Sequence, residues 1–207
     1  MPAPESQKNP ASYRDPSGFI FIKDGVIYRQ INHSYKEHFD CLVNTGLYQK
    51  LVDRQLLLPH DINNNDVAYN EDAYITIKPL QLPFISYPYE WSFSMLKDAA
   101  LVTLEIAMIA IENGMILKDA TAYNLQFING RMVFIDILSF EKYNPSKPWI
   151  AYKQFCEHFL APLSLMHYSQ LPMQELLLSY PEGIPLNIAS KLLPWKSKWN
   201  MHLYLHL

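Results

Sequence analysis

The chain has 207 residues, 49% of them hydrophobic, 14% aromatic and 18% charged, which gives it enough apolar surface to bury a core and excludes a disordered chain. Its formal charge of −3 and pI near 6.1 supply no positive field for a phosphate backbone and argue against a nucleic-acid partner. Six isolated glycines leave no Gly-x-Gly pair for a Rossmann turn, a Walker loop or a methyltransferase nucleotide turn, and the two distant cysteines, Cys41 and Cys156, suit a reducing compartment.

Residues 1–17 are polar and proline-bearing, lack the apolar core of a signal peptide, and are expected to form a mobile leader. Order is expected from Gly18. Residues 19–23 and 26–31 are β-rich runs separated by Asp24-Gly25, which predicts a tight hairpin. Ser34-Tyr35-Lys36-Glu37 has capping-box spacing and predicts a helix, interrupted at Gly46 and resumed through Leu58. A loop rich in asparagine and aspartate (61–70) leads to a strand at 73–78. Residues 82–90, broken by Pro83 and Pro88, read as an extended connector. Residues 91–113 have a helical pattern ended by Gly114. Because the pattern is apolar nearly all round, this helix is expected to be central. It is also too short, and with Glu105 too polar, to span a bilayer. Helices are predicted over 149–168 with a bend at Pro162, over 173–179 and over 186–193. Strands first and helices later predict an α+β fold: the leader, a small β-rich lobe with a helix over 18–88, and a mainly helical lobe over 89–207. The chain stops inside an aromatic and leucine-rich stretch, so a longer protein is expected. The expected location is cytoplasmic.

The chemistry concentrates between Met115 and Asp136. Asn129-Gly130 between two apolar runs predicts a two-residue hairpin that pairs Ile128 with Arg131, so that Asn124 faces Ile135 and Tyr123 faces Asp136. Asn124 and Asp136 then emerge as diagonal neighbours at the open end, about 7 Å apart or less at Cβ. Two oxygen donors so placed suit a hard cation such as magnesium, which takes one or two protein ligands and completes its shell with water and phosphate. Asp119, in the loop leaving the long helix, could accept a proton from a substrate hydroxyl.

Asp119-x-x-x-x-Asn124, a hairpin and then Asp136 after an apolar strand resemble the catalytic loop and metal-binding strand of the protein-kinase-like fold, as in aminoglycoside phosphotransferases. The resemblance implies a two-lobed kinase-like fold with a reduced N-terminal β-lobe, ATP and magnesium as cofactors, Asp119 as catalytic base, and Asn124 and Asp136 as metal ligands. Arg29 and Lys78 are both candidates for the cation that anchors the phosphates. Lys78 matches the local spelling, whereas Arg29 is followed by a helix containing Glu37, itself read chiefly as a cap. The pattern departs from protein kinases in several places: Leu117-Lys118 precedes the Asp, Ile137-Leu138 follows Asp136, and no glycine-rich loop is present. The expected reaction is ATP-dependent phosphoryl transfer to a small-molecule or lipid-linked hydroxyl.

A longer string runs from Ile85-Ser86-Tyr87-Pro88-Tyr89-Glu90-Trp91 through Phe134-Ile135-Asp136 to Leu160-Ala161-Pro162-Leu163. It resembles the N-terminal region of bacterial proteins described as SAM-dependent methyltransferases, some linked to nodulation. That resemblance implies a downstream methyltransferase domain as partner, and a non-catalytic, pseudokinase-like accessory module as the alternative function. Among the remaining residues, His202 and His206 at i, i+4 have the spacing of some zinc sites but read as chain-end packing or an interface, His158 and His167 as satisfied core or surface residues, and Cys156 as a small buried apolar residue. Phe84, Tyr87, Tyr89, Trp91 and Phe93 could stack a purine at the connector and read first as interlobe core.

Overall fold

The computed structural model describes residues 7–8, 16–62 and 67–206. Its N-terminal part is an antiparallel sheet built from β1 (Gln7–Lys8), β2 (Gly18–Lys23), β3 (Val26–Asn32), β4 (His60–Asp61) and β5 (Ala73–Pro79), in the order β1-β2-β3-β5-β4. Asp24 and Gly25, at φ 53° and 75°, make the expected hairpin and pair Lys23 with Val26. Gly18 is required where it stands, because a Cβ there would lie 2.1 Å from the Gln30 carbonyl oxygen. The expected leader is partly tied down: Gln7–Lys8 pairs with Ile22 and Phe21, and Pro16 and Ser17 carbonyls accept hydrogen bonds from Asn32.

Helices α1 (Lys36–Asn44) and α2 (Leu47–Asp53) follow β3, separated at Gly46 in the left-handed region. The Ser34–Glu37 capping box does not form. The 3-10 turn His33–Tyr35 starts α1 instead, Ser34 Oγ donates to the Pro16 carbonyl, and Glu37 pairs with Lys142. Nor does helix continue to Leu58. It stops at Asp53, Gln55 takes φ 58°, and residues 56–58 run beside Phe134, with Leu58 N donating to its carbonyl and its N–H donating to Leu56. Three consecutive leucines are buried this way, and Pro59 disfavours helix at the residue before it.

The long helix α3 (Phe93–Glu112) begins where Ser92 Oγ accepts from Met95 N–H and ends before Gly114 at φ 74°. It buries Leu96, Ala99, Ala100, Thr103, Ile106, Ala107, Ile109 and Ala110. Contrary to the expectation of a helix buried all round, Leu101, Leu104, Met108 and Ile111 remain exposed on one stripe. Next come β6 (Met115–Leu117), the hairpin β7 (Leu125–Ile128) and β8 (Arg131–Phe134), and β9 (Phe140–Lys142), which pairs with β6. The rest is helical: α4 (Tyr152–Phe155), a π-turn (Cys156–Leu160), α5 (Ala161–Ser169), α6 (Leu176–Ser179), α7 (Leu186–Leu192) and α8 (Met201–Tyr204). The bend expected at Pro162 is that π-turn. Proline has no N–H to offer the carbonyl four residues back, and Ala161 N–H reaches the Cys156 carbonyl five residues back.

The result is α+β, with a small antiparallel sheet first and a helical part after it. One main core crosses residue 88, joining Ile31, Tyr35, Leu42 and Ile77 to Trp91, Leu96, Phe134 and Phe140. Tyr35 locks the two parts together, its buried hydroxyl donating to the Ile137 carbonyl at 3.0 Å and contacting that of Phe140. A second, smaller core gathers Ala161, Leu165, Leu177, Ile184 and Ala189. No helix among the described residues is long and apolar enough to cross a membrane.

Candidate functional site

The site begins with the hairpin register. Asn129 and Gly130, at φ 50° and 83°, form the tight turn and pair Ile128 with Arg131 and Leu125 with Phe134. One further rung, Ile135 N–H to the Asn124 carbonyl at 2.8 Å, carries the pairing to the open end, where Asn124 and Asp136 emerge together. Two short polar turns then fix the side chains. Asp136 caps the 3-10 turn Ile137–Ser139, accepting from Leu138 N–H, and this brings Ser139 back beneath it. Ser139 Oγ accepts from Asn124 Nδ2 at 2.9 Å and donates to Asp136 Oδ2 at 2.5 Å, so the two predicted donors are joined through a hydroxyl. Thr121 caps the 3-10 turn Ala122–Asn124, and its own N–H donates to Asp119 Oδ1 at 3.0 Å.

Asp119 meets the side chains of Asn124 and Gln154 and feels the charge of Asp136, so all three predicted oxygen-bearing residues converge. Arg29, reaching down from β3, closes the set with an ion pair to Asp136 Oδ1, the two side chains being 16% and 18% exposed. An unbroken polar chain therefore runs Arg29, Asp136, Ser139, Asn124, Asp119.

Lys78 does not join it. Arg29 is paired with Ile77 in the sheet, and adjacent strand residues face opposite sides, so Lys78 projects from the other face and is exposed. Glu37 does not join it either: its carboxylate lies on Lys142, and Arg29 takes Asp136 instead. Lys118, beside the candidate base, points away to Ser17 Oγ and the Tyr35 ring. Of the connector aromatics only Trp91 is fully buried, and Tyr89 packs, half-buried, against the smaller core. Tyr87 and Tyr89 stack on one another at 5.3 Å and Phe84 is exposed, so the expectation of a packed aromatic cluster fails there.

The electrostatics separate the two acids. Burial pushes the Asp136 carboxyl up, but the Arg29 guanidinium and hydrogen bonds from Ser139 and Leu138 N–H outweigh it and hold the group below its ordinary value. Asp119 is raised, first by burial and then by the negative charge of Asp136, against the opposing bond from Thr121 N–H. One carboxylate is thus kept firmly ionised and the other is made the better base, a split that suits metal or cation binding at the first and proton acceptance at the second.

Four supporting residues, His158 among them, were not read as parts of the site in the sequence. Gln154 on α4 accepts from Ala120 N–H at 2.7 Å, and His158 in the π-turn lies 3.2 Å by Nε2 from Thr121 Oγ1. Burial lowers the His158 pKa to about 4, so the loop rests on a neutral ring. His60, at the sheet edge, is likewise lowered to about 4 by burial and by the charge of Arg29. Ser139 had a legible signal, since a small hydroxyl three residues after an aspartate has cap spacing. Gln154 and His158 come from a distant helix and had none.

No protein-family model matches the chain. The chain is 34% identical over 209 residues to the nodulation protein NoeA of Rhizobium meliloti (strain 1021). The alignment takes in 99% of this chain and 43% of that protein, so the chain spans less than half the length of the curated relative it matches. Among solved structures it is similar to vaccinia related kinase 3, with a TM-score of 0.42 and 14% identity over 68% of this chain and 48% of that one.

Proposed function

We propose that the chain is a kinase-like module that binds ATP with magnesium and transfers a phosphoryl group to a small-molecule or lipid-linked hydroxyl. The observation that carries this reading is the convergence of Asp119, Asn124 and Asp136 on one polar chain that ends at Arg29. The donors fit a hard cation: an ionised carboxylate and an amide offer oxygen only, and the set Arg29, Asp136, Ser139, Asn124 and Asp119 includes no thiolate or imidazole. Among the described residues no group of three His, Cys, Asp or Glu forms a cage, so a cation here would draw its other ligands from phosphate and water. When bound, magnesium would neutralise phosphate charge. Asn124 and Asp136 would hold it, Arg29 would pair with phosphate oxygens in its bidentate fashion, and Asp119 would accept the proton of the attacking hydroxyl.

Arg29 now sits on the carboxylate that a cation would use, and Ile137 and Leu138 after it are buried in the core. Those two observations favour a second reading, a non-catalytic pseudokinase-like accessory module serving a methyltransferase domain of a longer protein.

Thermal-shift measurements with ATP, with and without magnesium, separate the readings. The enzyme reading predicts stabilisation that requires both, is lost in Asp136→Asn, and is accompanied by phosphoryl transfer that Asp119→Asn abolishes. Stabilisation without turnover, equal in the parent and Asp119→Asn, supports the accessory reading. The absence of any magnesium-dependent shift overturns the enzyme reading.

A further inference from the structure

The C-terminal segment separates charge and exposes rings in a way the nucleotide site does not use. Residues 183–207 contain Lys191, Lys196 and Lys198 and none of the chain's twenty acidic residues, giving +3 there and −6 over the remainder. Within it, Pro194 starts the 3-10 turn Trp195–Trp199, in which two lysines alternate between the tryptophans around Ser197. Ser197 is the anchor: it is buried, its N–H and Oγ both donate to the Pro194 carbonyl, at 2.9 and 2.7 Å, and its own carbonyl takes Asn200 N–H. The neighbouring Leu193 packs on the smaller core.

With the turn so fixed, Trp195 and Trp199 lie edge to face at 5.5 Å and remain 70% and 75% exposed. Met201 and Leu205, one helical turn apart on the chain that follows, are 73% and 69% exposed. Leaving two tryptophans and two long aliphatic side chains in water is costly for a monomer in solution. Tryptophan is the side chain that best suits the boundary between hydrocarbon and headgroups. The interleaved lysines decide between occupants. Lysine is depleted in protein–protein interfaces, whereas an anionic lipid surface attracts each lysine that reaches it and leaves its ammonium solvated among headgroups.

We propose that this Trp-Lys-Ser-Lys-Trp turn and the residues after it form a peripheral docking surface for an anionic phospholipid bilayer. The tryptophans and Met201 and Leu205 enter the interface, and Lys196 and Lys198 contact the headgroups. The surface lies on the membrane without spanning it, and it needs nothing from the nucleotide site.

The test is flotation of the full chain with phosphatidylcholine vesicles, with and without phosphatidylserine, at low and high salt. Binding is expected only with phosphatidylserine and to weaken as salt rises. Trp195→Ala/Trp199→Ala should reduce partitioning by more than about tenfold, and Lys196→Gln/Lys198→Gln roughly fivefold for each lysine. Leu101→Ser/Met108→Ser on the exposed stripe of α3 should leave it unchanged. All these positions are exposed, and circular dichroism checks that each variant keeps the parent fold. In the parent, bromine-labelled lipid should quench the exposed tryptophans and spare Trp91 in the core, a readout that needs no variant. Failure to bind phosphatidylserine vesicles overturns the proposal, as does equal binding to phosphatidylcholine alone. So does a lipid-independent dimer that the tryptophan substitutions dissolve, which would make the face a self-interface.

Discussion

Replacing Arg29 with methionine keeps most of the side-chain volume in the cleft and removes the charge that faces Asp136. Both side chains are more than four-fifths buried, so the pair lies close to the buried limit, where breaking one partner costs about 3–5 kcal/mol. Residual solvent access lowers that to about 2–4 kcal/mol, a large share of the roughly 5–15 kcal/mol of a typical domain. The corresponding fall in melting temperature is about 4–16 °C at this chain length. The pH dependence identifies the cause. In the parent, the Asp136 pKa is held low, so its contribution is present above the ordinary carboxylate value and lost as pH falls through the lowered one. Without Arg29, burial becomes the leading influence and the pKa rises above the ordinary value. The deficit of Arg29→Met should therefore be greatest at pH 8 and shrink towards pH 5 as Asp136 takes up a proton. Urea unfolding at the two pH values measures it. Arg29→Met/Asp136→Leu, which removes both charges, should recover most of the loss. A pH-independent deficit, or a double variant as unstable as the two single effects added together, would refute the reasoning.

Other substitutions probe the supports. His158 and His60, both lowered to about 4, favour the neutral ring in the fold, so each contributes stability that is complete above about pH 6.5 and is lost as pH falls towards 4, up to about 3 kcal/mol per group. His158→Gln should flatten the acid limb of stability against pH, read from urea midpoints between neutral and acid conditions. Ser139→Ala removes the hydroxyl that joins Asn124 to Asp136 and should cost about 1–2 kcal/mol in chemical denaturation. Gly18→Ala drives a methyl group into the Gln30 carbonyl and should cost about 1–3 kcal/mol, seen as a lower melting temperature. Unchanged stability there would mean that β2 and β3 do not approach as closely as described.

What the sequence revealed was local. The dipeptides Asp24-Gly25 and Asn129-Gly130 dictate positive φ at consecutive residues, and the second sets the register that brings Asn124 beside Asp136. The parts that escaped depend on contacts far apart in the chain. The β6–β9 pair joins two three-residue strands, too short to carry a pattern, and the helix expected through Leu58 yields because Leu56–Leu58 finds a better place against Phe134. Choosing Arg29 over Lys78 required knowing that β3 lies beside β5 and which residues pair across them. On α3, the apolar pattern predicted burial all round, yet the stripe from Leu101 to Ile111 has no neighbouring element to cover it among the described residues.

The central claim is that Asp136 and Asn124 form a cation site completed by nucleotide. Electron paramagnetic resonance of manganese, titrated into the chain with and without ATP, observes it directly. A chain-bound signal distinct from manganese–ATP alone is expected, appearing only when nucleotide is present, weakened in Asn124→Ala and abolished in Asp136→Asn. A bound signal of equal strength in both variants and the parent would contradict it, and so would the absence of any signal beyond that of manganese–ATP in the parent.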